Sequence, residues 1–120
     1  MTIYGTAPLE GENAARSYGT AILMILRRIT EWLDDRPDMD VGEPEVMGFV
    51  VALRVLAEAE PTLASASLFD ERIDELRDRY LGWFEAHKAK VRVKRGVDKG
   101  EMARRAQEEF DRILTAIREG

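Results

Sequence analysis

Apolar residues recur along this chain at alternating three- and four-residue spacing in four stretches, the period of helices that bury one face. In the first, Ala15, Tyr18, Ile22, Ile25, Ile29 and Trp32 keep that rhythm and Leu26 and Leu33 widen the stripe, which predicts a helix over residues 13 to 35. Gly19 alone dissents, at about 1 kcal/mol relative to alanine. Turn-forming residues in RPDMDVGE (36 to 43) predict a loop, and Pro44 suits the first helical position, where its missing N–H is not needed. From there Val46, Phe49, Leu53 and Leu56 form the seam of a helix over 44 to 60, and Met47, Val50, Val51 and Val55 make it apolar over more than half its circumference, the most buried of the four.

Pro61 closes the second helix, and PTLASAS reads as a link to Ser67, which with Asp70 three residues on can cap a third helix. Its stripe runs Phe69, Ile73, Leu76, Tyr80, Trp83, His87 and, a turn later, Val91, with Phe84 alongside; Gly96 is a natural stop, so a helix is predicted over 68 to 95. The alternating AKVRV (89 to 93) also fits a strand, but no second strand is available to pair with it. Asp98 and Glu101 have capping-box spacing for a fourth helix over 99 to 118, carrying Ala103, Ala106, Phe110, Ile113 and Ile117. Short links between such helices predict an all-α fold, an antiparallel up-and-down bundle of about four helices. One domain is expected over 1 to 120, with 1 to 12 extended or poorly ordered.

Composition agrees: 120 residues, 45% apolar and 34% charged, suit one soluble domain with a single core. The absence of cysteine excludes disulfides, thiolate metal sites and a cysteine nucleophile, and fits a reducing cytosol. The longest apolar run, AILMIL (21 to 26), is far short of the roughly 20 residues of a membrane helix, and the N-terminus does not read as a secretory signal. A cytoplasmic protein without membrane contact is the expectation.

Chemistry is sparse. No phosphate-binding loop, dinucleotide fingerprint or GxSxG elbow occurs, and Ser17, Ser65 and Ser67 have no histidine nearby in sequence. His87 is the single histidine; Glu85 lies two residues before it, so the Glu-x-x-His pairing of di-iron bundles is missing, and His87 reads as a half-buried residue at a bundle end. Tyr80, Trp83 and Phe84 could stack on bases, but at this spacing they read as core. Seven acids against Arg36 alone fill residues 31 to 45, in an order that lacks the glycine and final glutamate of a calcium loop. Asp34, Asp35, Asp38, Asp40 and Glu43 are therefore read as an acidic interaction loop. No catalytic residue, metal, cofactor or small-molecule substrate is expected, and the chain is not read as an enzyme.

Charge distribution is the sharpest signal. Residues 87 to 100, HKAKVRVKRGVDKG, hold six of the eighteen basic residues and one acid, a local charge of +5; the rest carries 12 bases and 22 acids, a charge of −10. Cations at a helix C-terminus are favoured by about 0.3 to 1 kcal/mol each within the last turn, and six spread over more than three turns exceed that need. Lys88, Lys90, Arg92, Lys94, Arg95 and Lys99 are thus the candidate contact residues. The first expectation is a non-enzymatic helical subunit or adaptor that associates with a protein, within a larger assembly or with the acidic region of another copy. The alternative is sequence-independent contact with a nucleic-acid backbone, against which the −10 body counts.

Overall fold

Residues 6–35 and 45–120 are described by the computed structural model of the chain. A single 3-10 turn, Pro8–Glu10, closed by the Glu10 carboxylate accepting from the Ala7 N–H, occupies part of the segment expected to be extended. Five helices follow among the described residues: Glu12–Asp35 (α1), Val46–Ala59 (α2), Pro61–Ser67 (α3), Asp70–His87 (α4) and Lys99–Glu119 (α5). Among the described residues there is no strand, and the helices pack on one another as an all-α bundle. The expected loop 36 to 43 and the expected helix start at Pro44 lie outside the described residues.

The third and fourth segments depart from the sequence expectation at three points. PTLASAS is the helix α3, with Ala64 fully buried. Ser67 is consequently the last residue of α3 and caps nothing; Phe69 is the N-cap of α4, in extended conformation and without a side-chain cap bond. That extended link turns Leu68 inward at 4% exposure and Phe69 outward at 72%, so the buried stripe starts at Ile73. Finally, α4 ends at His87, and residues 88 to 98 are irregular.

Two forces oppose a helix through the basic run. It would stack Lys88 on Arg92 and Lys90 on Lys94, like-charge pairs at i,i+4. It would also set Val91 and Val93 on different faces, whereas the loop packs both against the core. At the fourth helix the expectation holds: Asp98 caps α5, its Oδ1 accepting from Gly100 N–H at 2.8 Å and Glu101 N–H at 3.4 Å. The reciprocal half of the capping box is replaced, because the Glu101 carboxylate accepts from Arg104 and Arg105 instead.

The chain direction alternates from one long helix to the next, as the up-and-down reading requires. Tyr18 near the start of α1 donates to the Leu56 carbonyl near the end of α2 at 2.8 Å, an antiparallel pairing. Arg118 and Arg77 reach Asp70 and Asp111, so α4 and α5 are antiparallel too. Between α2 and α5, however, Arg54 donates to Glu109 at 2.7 Å and Arg112 to Glu58 at 2.8 Å, which makes them parallel neighbours. The long helices therefore sit at the corners of a square in the order α1, α2, α5, α4, and among the described residues the backbones of neither diagonal pair come close.

Helix α3 carries the chain from α2 across the end of the bundle toward α4, packing on α1, α2 and α5 as it goes. Seven residues at 1.5 Å rise span about 10 Å, the scale of one interhelical distance. A Cβ on Gly19 would lie 3.1 Å from Ser67 Oγ, so the glycine that weakens α1 in isolation lets α3 cross closely over it. The core runs through the square from Ile22, Ile29 and Leu33 of α1 to Val46, Val50, Leu53 and Ala57 of α2, and on to α4 and α5. In α2 this puts Val50 and Ala57 deeper than Phe49 and Leu56, and Val55 is 48% exposed, a rotation of the expected seam.

Candidate functional site

The basic segment is displayed from a pinned loop. His87, the last residue of α4, stacks on Trp83 at 5.2 Å, and its Nδ1 lies 2.9 Å from the Trp83 carbonyl. A carbonyl only accepts, so Nδ1 carries a proton. Beyond it, Lys90 N–H donates to the His87 carbonyl at 2.8 Å and Val91 N–H to the Lys88 carbonyl at 3.2 Å, tight turns that end the helix. Burial then alternates: Val91 is 3% exposed and Val93 packs on the core, while Lys90, Arg92 and Lys94 face solvent. Val97 N–H donates back to the Lys94 carbonyl at 3.1 Å across a turn made possible by Gly96, whose φ of 92° favours glycine. The Lys99 ammonium closes the loop by donating to the Lys88 carbonyl.

What sets these cations apart is their lack of partners. Every described arginine outside residues 87 to 100 has a carboxylate within ion-pair distance: Arg16, Arg27 and Arg28 on α1, Arg54 on α2, Arg72, Arg77 and Arg79 on α4, and Arg104, Arg105, Arg112 and Arg118 on α5. Inside the segment, Lys88 pairs with Glu85 at 2.9 Å and Lys99 is held by the Lys88 carbonyl. Lys90, Arg92, Lys94 and Arg95 are exposed and have no carboxylate partner among the described residues. Among the described residues, the other cations are thus engaged within the fold and four on one loop are left without a carboxylate.

The pairing has electrostatic consequences elsewhere. The hydrogen bond from Arg112 holds the Glu58 carboxyl below its ordinary value of 4.5; burial opposes it, and a further hydrogen bond from Arg54 and the charges of both arginines add to the lowering. Glu101, between Arg104 and Arg105, is lowered to about 2.

The acidic candidates divide. Asp34 and Asp35 are the last residues of α1, and Asp34 is committed to Arg79 at 2.5 Å. Asp38, Asp40 and Glu43 lie outside the described residues. Trp32 packs edge-on against Trp83 at 4.8 Å, one turn before His87, so the acidic end of α1 and the cationic loop stand at the same end of the bundle. Tyr80, Trp83 and Phe84 are core, at 3%, 7% and 2% exposure. Among the described residues, no three His, Asp or Glu side chains converge as a metal site, and no helix is long and apolar enough to cross a membrane.

Sequence reasoning named the cations but missed what holds them. Val91 was assigned to a helical seam, yet it anchors a loop together with Val93. The alternation in AKVRV was the available signal, and it describes a loop packed one side in and one side out.

Comparison with protein-family models, with curated proteins and with solved structures found no match to this chain, so its function rests on the chemistry of the site itself.

Proposed function

We propose that this protein is a non-enzymatic helical association subunit that binds an acidic protein surface through the loop of residues 88 to 99. The observation that carries the reading is the contrast between four unpaired cations on that loop and the ion-paired arginines of the described helices. Long cationic side chains on a loop anchored at Val91, Gly96 and Asp98 need only settle their own rotamers when a partner arrives, which lowers the ordering cost of binding. Complementary charge at such a rim raises the association rate and selects the partner more than it adds affinity. The macrodipole of α4 accounts for little of the run, since the effect falls off within the last turn and most of the segment lies beyond it.

The experiment is a charge reversal, Arg92→Glu with Lys94→Glu, in the full chain. Both side chains are exposed and unpaired, so thermal unfolding should be unchanged. A protein complex isolated with the wild type, stable to nuclease, should be lost with the double variant, and loss should track rising salt. If the wild type instead binds mixed-sequence duplex DNA, with log affinity falling by about 0.9 per neutralised phosphate against log salt, backbone contact replaces this reading. If both forms retain the same partners, the loop is not the contact surface.

A further inference from the structure

An open groove of about 400 Å3 lies between α2, α4 and α5. Met47, Val51, Met102 and Ala106 wall it together with Glu109, whose carboxylate is held by Arg54; Arg105, with its side chain 74% exposed and paired with Glu101, stands at the rim. Tyr80 forms the floor: only 3% of it is exposed, and its ring is fixed by Trp32, Trp83, Phe84 and Phe110 at centroid distances from 5.8 to 6.4 Å. Its hydroxyl has no hydrogen-bond partner among the described residues, where no fully enclosed side-chain oxygen is left unpaired. The hydroxyl must therefore keep a trace of solvent contact, and the groove is the opening that Tyr80 lines. Burial pushes its pKa up to about 12, so it remains an O–H donor at neutral pH.

A mostly buried donor with no protein acceptor is satisfied only by what enters the groove, water or a ligand oxygen. The walls are mostly apolar and two of them are methionines, whose unbranched thioethers adapt to varied apolar shapes. The mouth is set by the chain itself: Met102 stands three residues after Lys99, about one helical turn, so the groove opens beside the cationic loop. Val97, on that loop, is 46% exposed. Four unpaired cations on the adjoining loop, beside a mostly apolar trough with one hydrogen-bond donor at its floor, are complementary to a surface that is both acidic and apolar.

We infer that this groove seats an acidic amphipathic segment of a partner protein, with a large apolar side chain between Met47 and Met102, a carbonyl or carboxylate oxygen on the Tyr80 hydroxyl, and acidic side chains over Lys90, Arg92, Lys94 and Arg95. The binding mode is that of an amphipathic helix in a groove. It rests on the reading of the loop as a protein-contact surface and adds the partner's chemistry.

The test uses the full-length chain as bait for a random peptide phage library, then the most enriched peptide as a labelled probe. Enriched peptides should combine several Asp or Glu residues with at least one large apolar residue. With methyl-labelled methionine, the probe should shift the Met47 and Met102 signals and leave Met24, 63% exposed on the outside of α1, in place. Tyr80→Phe should weaken probe binding by about two- to tenfold, the net effect of one hydrogen bond, while leaving thermal unfolding unchanged because no protein partner is lost. Arg92→Glu with Lys94→Glu should weaken it by about tenfold or more. Peptides lacking either the acids or the apolar residue, or no enrichment at all, overturn the inference. If the charge reversal abolishes binding but Met47, Met102 and Tyr80→Phe are silent, the groove fails and the loop reading stands. If neither the reversal nor the groove variant matters, both fail. Displacement of the probe by mixed-sequence duplex DNA at equal concentration would assign the loop to nucleic acid and overturn the partner class.

Discussion

Leu53, 1% exposed, and Phe49, only partly buried, lie one helical turn apart on α2, yet they sit at different depths. Their spacing made them look equivalent, because period alone defines a stripe and not its centre. Truncating a buried leucine removes its transfer energy and leaves a cavity, so Leu53→Ala should cost about 2 to 5 kcal/mol. Phe49→Ala should cost less despite the larger side chain, since part of the ring is already in water. Denaturant midpoints of the two variants, with unchanged m-values, decide the order.

At the scale of elements, the loop of residues 88 to 98 and the start of α5 form one unit, held by a glycine turn and an aspartate cap. Gly96 sits at φ 92°, a conformation that costs a residue with a Cβ about 1 to 3 kcal/mol. Gly96→Ala should lower stability by an amount in that range even though a Cβ there meets nothing within 4 Å. Asp98→Ala should remove the bonds to Gly100 and Glu101 and cost about 0.5 to 2 kcal/mol. Both should also raise amide hydrogen exchange across the loop and the first turn of α5, with Leu53 and its neighbours as the protected reference; an unaltered exchange pattern would mean the loop is not pinned as described.

The whole molecule is tied together across α2 and α5 by the Arg54–Glu109 and Arg112–Glu58 pairs, and the pH dependence follows from them. Glu58 ionises at lower pH folded than unfolded, so the unfolded chain binds the proton more tightly. Its stabilising contribution is present above about pH 4.5 and is lost as pH falls through the lower folded value. Tyr18 and Tyr80 work at the other limit. Burial raises both above 10, for Tyr18 with help from the Glu60 charge, so stability is full below pH 10 and declines as pH rises toward the folded values. Chemical denaturation across the pH range should show both flanks, and Glu58→Gln should flatten the acid one. An acid flank of equal slope in that variant would assign it to other carboxylates.

Most of the secondary structure and the charge asymmetry were determined by the sequence itself, for a local reason. Period, Gly96 and the Asp98 cap act within a few residues, so α1, most of α4 and all of α5 fall where the spacing puts them. Local order could not reveal α3: seven residues are too short to nucleate a helix alone, and only its packing against Gly19 and the burial of Ala64 hold it. Nor could it end α4 at His87, because Val91 continues the stripe in either conformation and only the packing of Val93 beside it selects the loop. Six basic residues were legible at once, but which of them remain free depends on which carboxylates the other cations meet, and those lie up to 55 residues away, as for Arg54 and Glu109. The parallel contact of α2 with α5, the groove beside them and the unpaired Tyr80 hydroxyl belong to the tertiary structure alone, since neither spacing nor composition encodes which helices become neighbours across the square.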